Sequence, residues 1–212
     1  MATRPDISYI VSRLSQYLDK PTPIHLTGAK HVLRYLKGSI SQSLIFKKST
    51  EPLKLRGFCD ADWAGSSDRK SISGYCLKLS DESSIISWKS KKQPVVSLST
   101  CEAEFVSLAS AGQEALYLRT LLKSVVESGV VNNPVTIYCD NQSSILLAKN
   151  PIIHQRSKHI DIKYQFIRDE IKKGSILLKY IESEKNIADL FTKPWNKIKL
   201  NTFQKEIMGG QN

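Results

Sequence analysis

The period of the hydrophobic pattern changes several times along the chain, and these changes constrain the fold more than any other feature. Strand-type alternation begins at Leu44, and the first strand of the predicted sheet ends at Asp60. Further strands are predicted at 73–79, 85–88, 134–139 and 176–181. Helical spacing is found at 100–128, 143–148, 160–171 and 186–192. Because consecutive strands joined by short turns pair antiparallel, this order predicts a mixed α/β sheet with helices on both faces.

Two more amphipathic helices are predicted ahead of the sheet. Apolar residues recur at helical spacing over 5–20, after a proline suited to the first helical position. They recur again over 29–38, where Gly38 ends the pattern. The first 38 residues are therefore predicted to form a basic helical hairpin.

Basic residues outnumber acidic ones in the whole chain. Lys and Arg total 31 against 20 Asp and Glu, and the net charge of +11 points to a polyanionic partner such as nucleic acid or an anionic membrane surface. No apolar stretch approaches the roughly 18 residues that a membrane span needs. Because no secretory signal is recognisable either, we expect a protein of the cytoplasm or the nucleus. The spacing of the four cysteines favours reduced, buried thiols.

Four acidic residues are predicted to lie where an α/β sheet usually carries its chemistry. They are Asp60 and Asp140 at strand ends, Glu104 in the first turn of the long helix and Asp189 at the start of the last helix. If the two strands are neighbours, the four carboxylates meet at one edge of the sheet. Each residue also has an ordinary interpretation, because strand-end aspartates cap helices and glutamates in a first turn favour the helix dipole.

A cluster of carboxylates needs a cation, because like charges within a few Å repel one another and otherwise take up protons. Oxygen ligands without His or Cys suit Mg²⁺ or Mn²⁺, and paired ions serve attack at phosphorus, so the predicted substrate is a phosphodiester. Two neighbouring acids leave the assignment open. Asp62 shares a strand face with Asp60, whereas Glu102 and Glu104 point in different helical directions.

Six segments, in order, resemble one known family. They read FCDADWAG, DRKSISGYCLKL, IISWKSKKQPVVSLSTCEAEF, IYCDNQSSI, SKHIDIKYQFIRD and NIADLFTKP. This series resembles the ribonuclease H domain of copia-type retrotransposon Pol polyproteins, and the preceding TRPDISYIVSRLSQY and HVLRYLKGS resemble the end of that family's reverse transcriptase. The resemblance implies three regions: the helical C-terminal part of a reverse transcriptase (thumb and connection) at 1–50, a ribonuclease H-like domain at 51–194 and a C-terminal tail at 195–212.

The resemblance implies a fold, a reaction and a site. The fold is a ribonuclease H-like mixed five-stranded sheet with helices on both faces, preceded by a small helical hairpin. The reaction is metal-dependent cleavage of the RNA strand of an RNA–DNA hybrid, and the partners are that hybrid and the upstream reverse transcriptase domain. Matched by motif, the catalytic, metal-binding residues are Asp60, Glu104, Asp140 and Asp189, with two Mg²⁺ ions for which Mn²⁺ can substitute. Because no paired-aspartate run of the Y-x-D-D type occurs, no polymerase activity is expected from this chain alone.

The proton donor for the leaving group is left open. Ribonucleases H of the bacterial and cellular type carry a His in the loop before the last Asp, but residues 182–185 contain none. Proton transfer would then depend on water or on another residue. His159 is the nearest His candidate, and for it we favour a structural or substrate-contacting role over general acid chemistry.

Two sets of residues are expected to contact nucleic acid. Contacts to 2′-hydroxyls are expected from Asn141, Gln142 and Ser143. Contacts to phosphates are expected from Arg69, Lys70, Lys89, Lys91 and Lys92, each of which can equally be a solvated surface residue. Trp63 and Trp88 could stack on nucleotides, but their apolar neighbours favour core positions. The alternative to a nuclease is a catalytically silent nucleic-acid-binding relic or a domesticated binding module, which would tolerate Asp140→Asn.

Overall fold

A computed structural model describes residues 3–48, 53–81, 83–125, 134–150 and 158–208. Over these residues the sheet consists of β1 (Arg56–Asp62), β2 (Ile72–Lys78), β3 (Ile85–Lys92), β4 (Val135–Cys139) and β5 (Ile176–Tyr180). The spatial order is β3-β2-β1-β4-β5. The first three strands pair antiparallel, whereas β4 runs parallel to both β1 and β5. The predicted mixed sheet is therefore confirmed.

Helices cover both faces of this sheet, as expected. They are α1 (Ser8–Ser15), α2 (Pro23–Gly38), α3 (Thr100–Val125), α4 (Gln142–Lys149), α5 (Lys158–Lys172) and α6 (Lys197–Met208), with short 3-10 helices at Pro5–Ile7, Ser183–Lys185 and Ile187–Phe191. Helices α3, α4 and α5 pack on one face around Phe105. The last 3-10 helix and α6 pack on the other face around Phe191. The long helix predicted to end at 128 is described as far as Val125, and residues 126–133 lie outside the described part.

Glycine at position 112 allows α5 to pack closely against α3. A Cβ atom there would lie 2.6 Å from Cδ1 of Ile167, so a larger residue would require the Ile167 side chain to shift. Ile167 is fully buried as a result. The long helix contributes Phe105, Leu108 and Ala111 to this core layer.

The N-terminal helices form the predicted hairpin, and a polar cluster joins this hairpin to α6. The Asp6 carboxylate accepts hydrogen bonds from Nη2 of Arg4 at 2.7 Å and from the Tyr35 hydroxyl at 2.5 Å. Gln204 of α6 donates to the same hydroxyl at 2.8 Å. We call Arg4, Asp6, Tyr35 and Gln204 the hairpin cluster. Through it the hairpin is connected to the C-terminal helix.

Two predictions about the start of the sheet are wrong. The chain after Leu44 is extended but lies outside the sheet, because the Ile45 N–H donates to the carbonyl of Met208 at 3.0 Å and the Ile45 carbonyl accepts from the Ser84 N–H at 2.9 Å. Alternation of period two marks any extended segment with one buried side, whether or not it joins a ladder. The first strand begins at Arg56 instead, and it continues beyond Asp60 to Asp62.

The segment 195–212 was expected to be a C-terminal tail, and this expectation is wrong for its described part. Helix α6 occupies Lys197–Met208 and buries Phe203 and Ile207 in the second core. The ammonium group of Lys78 donates to the carbonyl of Glu206 at 3.1 Å and so caps the last turn of this helix. Its apolar residues recur at helical spacing, which is the signal that sequence reasoning overlooked.

The expected burial of the cysteines is confirmed for three of them and is wrong for the fourth. The four cysteines are free thiols, of which Cys59, Cys76 and Cys139 are buried and Cys101 is half-buried. Within the described ranges, no helix has both the length and the apolar character that crossing a membrane requires.

Candidate metal centre

The pairing of β1 with β4 brings Asp60 and Asp140 together. Their parallel ladder ends at the Cys59–Cys139 pair, so the next residue of each strand leaves the ladder at the same edge of the sheet. Asp189 joins them from the 3-10 helix. Each of the three aspartates offers a carboxylate oxygen, and these oxygens all lie within 4.8 Å of one another. We call Asp60, Asp140 and Asp189 the aspartate cluster.

A glycine on β2 and an asparagine explain how Asp189 reaches this edge. Gly74 pairs with Asp60 in the β1–β2 ladder, and a Cβ atom at Gly74 would lie 2.7 Å from Cβ of Phe191. The missing side chain therefore lets the 3-10 helix lie directly on the sheet. Asn186 fixes its start, because its amide donates to the Cys59 carbonyl at 2.9 Å while its side-chain oxygen accepts from the Ala188 N–H at 3.1 Å.

Glu104 and Glu102, two residues apart, have different surroundings. The Glu102 carboxylate accepts from the Leu98 N–H at 2.8 Å, and the Glu102 N–H donates to Oγ of Ser99 at 3.2 Å, so this residue stabilises the start of α3. Glu104 instead has a carboxylate oxygen within 4.8 Å of a ligand atom of Asp140. Its buried Oε2 has no hydrogen-bond partner among the residues that the structure describes. The geometry thus separates a capping glutamate from one that faces the site.

Crowding and burial change the acidity of these carboxyl groups. Burial, with a further contribution from the Asp60 charge, raises the pKa of Glu104 well above its usual range and that of Asp189 from 3.8 to about 7. Burial also raises the pKa of Asp140, although a hydrogen bond with Ser183 lowers it. Carboxylates this close together repel one another unless some are protonated or a cation neutralises them. Carboxylate oxygens, including the unpartnered Oε2 of Glu104, are the hard ligands that suit Mg²⁺ or Mn²⁺.

Three side chains of the segment 183–193 support the aspartate cluster, and sequence reasoning missed all three. The Thr192 hydroxyl donates to Oδ2 of Asp60, and Ser183 forms the hydrogen bond with Asp140. Nζ of Lys193 lies 3.0 Å from Oδ1 of Asp189. Burial alone would lower the pKa of Lys193, but the three aspartates raise it above its ordinary value. Two of these residues belong to the NIADLFTKP segment, so closer attention to that motif could have found them.

Comparison with known proteins identifies the family. None of the protein-family models matches the chain. The retrovirus-related Pol polyprotein from transposon RE2 of Arabidopsis thaliana is 40% identical over 207 residues, which are 97% of this chain and 14% of that protein. The corresponding polyprotein from transposon TNT 1-94 of Nicotiana tabacum is 40% identical over 212 residues, 99% of this chain and 15% of that protein. The chain belongs to the Pol polyproteins of copia-like transposons. It spans about one seventh of the length of these two relatives.

A solved structure shares the fold of this Pol segment. The foamy viral protease-reverse transcriptase, in complex with an RNA/DNA hybrid, matches with a TM-score of 0.52 at 15% identity, over 90% of this chain and 24% of that one. The shared architecture and the strand order identify the fold as ribonuclease H-like, in agreement with the expected fold class.

The basic residues expected to contact phosphates lie on and beside β3, two strands away from β1. Lys89 and Lys91 are exposed and line a cavity of about 480 Å³ between β3 and α3, which Lys163 of α5 also lines. Lys92 also lines this cavity and forms an ion pair of 2.9 Å with Asp68. The loop before β2 carries the remaining two residues, Arg69, which is exposed and has a positive φ of 58°, and Lys70.

The remaining predicted residues are placed as follows. Asn141 caps α4, because its Oδ1 accepts from the Ser144 N–H at 2.9 Å, and Gln142 and Ser143 are exposed in the first turn of that helix. The backbone of His159 belongs to α5, but its side chain lies outside the described part. Trp88 packs against the second core as expected.

The prediction of a core position is wrong for Trp63. This side chain is 45% exposed, and its indole N–H donates to the carbonyl of Ser97 at 3.0 Å. It follows β1 directly and therefore lies beside the edge that carries the aspartate cluster. A position next to a strand does not show which residues will cover a side chain, and here nearly half of the Trp63 side chain is exposed.

Proposed function

We propose that this Pol segment is a ribonuclease H that cuts the RNA strand of an RNA–DNA hybrid with the help of two divalent ions. The observation that carries the proposal is the aspartate cluster, with its oxygens within 4.8 Å, beside the unpartnered Oε2 of Glu104. Buried carboxylates of like charge are costly unless a ligand neutralises them. The fold and the membership of the Pol family support a nuclease as the general class of activity.

In this proposal Asp60, Glu104, Asp140 and Asp189 hold the ions, with Mg²⁺ as the natural metal and Mn²⁺ as a substitute. Such ions supply a lowered pKa for a bound water and neutralise charge at the departing oxygen. The chain's own residues keep the ligands in place. Thr192 fixes the orientation of Asp60, and Ser183 does the same for Asp140.

We propose the hybrid as substrate because the basic residues on and beside β3 can contact the same duplex as the aspartate cluster. Lys91 pairs across the β2–β3 ladder with Ser73, and Ser73 pairs with Ala61, the residue after Asp60. Adjacent strands are about 4.8 Å apart, so Lys91 lies about 10 Å from β1. That distance suits contact with a second backbone position of a bound duplex. The exposed first turn of α4, with Gln142 and Ser143, is proposed to contact 2′-hydroxyls.

The regional assignment is also part of the proposal. Residues 1–50 would be the end of a reverse transcriptase, whose upstream part would be a partner of this chain, and 51–194 would be the ribonuclease H region. Helix α6 extends that region beyond 194, because its buried face completes the second core.

The proposal is tested with the purified chain and a labelled RNA–DNA hybrid, with Mg²⁺ or with EDTA. We expect metal-dependent cutting of the RNA strand, no cutting of single-stranded RNA or duplex DNA, and loss of cutting in Asp140→Asn. Binding of the hybrid by a folded protein that cuts none of these substrates would overturn the nuclease and leave a binding module.

A further inference from the structure

The amino group of Lys193 lies at the candidate metal centre. Its Nζ lies 3.0 Å from Oδ1 of Asp189, one helical turn earlier in the chain. The Asp189 side chain is 5% exposed, whereas that of Lys193 is 44% exposed. One end of this lysine is therefore held in the aspartate cluster, while the rest of its side chain reaches solvent.

The charge of Lys193 acts on the whole aspartate cluster. Its ammonium group interacts electrostatically with Asp60 and Asp140 as well as with its direct partner Asp189. It also interacts with Asp62, the neighbouring acid on β1. A single positive charge at this point reduces the repulsion among the three carboxylates, of which Asp60 and Asp189 are buried and Asp140 is half-buried. In the protein without metal, Lys193 can therefore do part of what a divalent ion does.

A divalent ion and the lysine ammonium compete for the same oxygens. An ion bound by Asp189 would meet a positive charge about 3 Å from Oδ1, which like-charge repulsion opposes. The side chain of Lys193 is 44% exposed, so solvent and the space beside it are open to the ammonium group. Beside it lies an open cavity of about 330 Å³, which is lined by Lys193 itself and by Glu184 among others. The Glu184 carboxylate offers the ammonium group an alternative partner in that cavity.

We propose that Lys193 is the built-in counter-ion of the aspartate cluster, and that it leaves Asp189 when a divalent cation binds. It therefore sets how tightly the centre binds its metal, and it keeps the cluster stable when metal is scarce. The inference rests on the proposed function for the binding of a divalent cation at this centre. The amino group of Lys193 stays protonated throughout, so the exchange is between two cations.

The chain offers a matched control for this idea. Lys199 lines the same cavity, is exposed, and places its Nζ 4.6 Å from the ring centroid of Trp195 rather than on an aspartate. Lys199→Gln removes one positive charge from the same cavity without removing the contact to Asp189. Lys193→Arg keeps the charge and tests whether side-chain shape alone matters.

The experiment titrates Mg²⁺ into the full chain by calorimetry, without nucleic acid, and records thermal unfolding in EDTA and in Mg²⁺. For Lys193→Gln we expect Mg²⁺ to bind about fivefold more tightly, because one nearby positive charge is lost. We also expect a lower melting temperature in EDTA that Mg²⁺ restores. Lys193→Arg and Lys199→Gln should match the unsubstituted chain within about twofold in affinity.

Unchanged or weaker Mg²⁺ binding by Lys193→Gln, in a chain whose unsubstituted form binds the ion, would overturn the counter-ion role and leave the nuclease proposal intact. If neither protein binds Mg²⁺, the metal centre of the proposed function fails. The EDTA measurement then still decides on Lys193, since an unchanged melting temperature in Lys193→Gln would show that the lysine does not stabilise the cluster.

Discussion

Two partly buried polar clusters of this chain differ in how their charges are compensated. In the hairpin cluster, the Asp6 carboxylate is bound by the Arg4 guanidinium and the Tyr35 hydroxyl, so opposite charges meet and the hydrogen bonds are satisfied. In the aspartate cluster, three carboxylates lie within 4.8 Å, and Asp140 and Asp189 both have raised pKa values. The first arrangement stabilises the fold, whereas the second holds repelling charges that a bound cation would neutralise. The difference supports the proposal that the hairpin cluster serves the structure and the aspartate cluster the chemistry.

The sharpest test of this contrast is Asp140→Asn in the aspartate cluster. We expect cutting of the hybrid to fall by more than about a thousandfold, since groups that act as a unit in catalysis are rarely separable. The melting temperature should stay the same or rise, because one repelling charge is removed. The rate and the melting curve are measured on the same preparation, with exposed Asp19→Asn as the control. A variant that still cuts at the normal rate would contradict the contrast.

The opposite result is expected from Asp6→Ala in the hairpin cluster. The Asp6 side chain is fully buried, so its loss leaves the Arg4 charge without its partner and should lower the free energy of unfolding by about 3 kcal/mol. Cutting per folded molecule should not change. Urea denaturation measures the first effect and a rate corrected for the folded fraction the second. Tyr35→Phe, which removes the hydrogen bond to Asp6 and the one from Gln204 but leaves the Arg4–Asp6 ion pair, should cost less, about 2 kcal/mol.

Substitutions of Thr192 test the hydrogen bond that orients Asp60 and leave the charge of the aspartate cluster unchanged. Thr192→Val removes the hydroxyl that donates to Asp60 and should weaken Mg²⁺ binding and cutting by about tenfold. Thr192→Ser retains the hydroxyl and should recover most of both. Calorimetry and initial rates are the measurements. If the valine and serine variants lose the same amount, the effect comes from packing and the hydroxyl has no positioning role.

The raised pKa of Asp189 predicts how stability depends on pH in the absence of metal. Between 3.8 and about 7 the folded chain holds a proton on Asp189 that the unfolded chain has lost, so stability falls as the pH rises through this window. In EDTA we expect the melting temperature to be about 3 °C higher at pH 5 than at pH 8. Mg²⁺ should abolish or reverse this trend because it stabilises the ionised form. Asp189→Asn should show a smaller slope in EDTA, and an identical slope would refute the assignment.

The smallest effects are expected at the surface lysines of β3. Lys89→Gln and Lys91→Gln should each weaken hybrid binding by about two- to threefold at low salt, because a single exposed phosphate contact contributes little. Lys92→Gln should have a smaller effect, because its ammonium group is already paired with Asp68. Fluorescence anisotropy at several salt concentrations measures both the affinity and its salt dependence. A larger loss for Lys92 than for Lys91 would reverse this order.

The sequence alone predicted those features that depend on local pattern. The order of strands and helices follows from hydrophobic period, and the mixed five-stranded sheet is confirmed in the described part of the chain. The carboxylates of Asp60 and Asp140 were predicted to meet because they follow strands that could be neighbours, and the β1–β4 ladder makes them neighbours. Their role as metal ligands stays a prediction that the experiments above test.

Predictions from local sequence pattern were wrong where contacts with residues distant in the sequence determine the structure of a segment. The segment after Leu44 alternates like a strand, but its backbone groups bond to Met208 and Ser84. The segment after 194 was treated as a tail, although it closes a core whose other side is formed by residues such as Cys76. In each case the missing information was which surface the segment would meet.

The sequence by itself therefore determined the fold class, the family and the acidic residues at the carboxyl edge of the sheet. These follow from residue type, from the spacing of the motifs and from the period of the hydrophobic pattern. The family motif selected Glu104 over Glu102. Only the tertiary structure gave the physical distinction between them, since Glu102 caps α3 whereas a carboxylate oxygen of Glu104 lies within 4.8 Å of a ligand atom of Asp140. It alone brought Thr192 and Lys193 to the aspartate cluster, through the gap that Gly74 leaves on β2. Contacts of this kind depend on distances between segments far apart in the chain, and no local pattern encodes those distances.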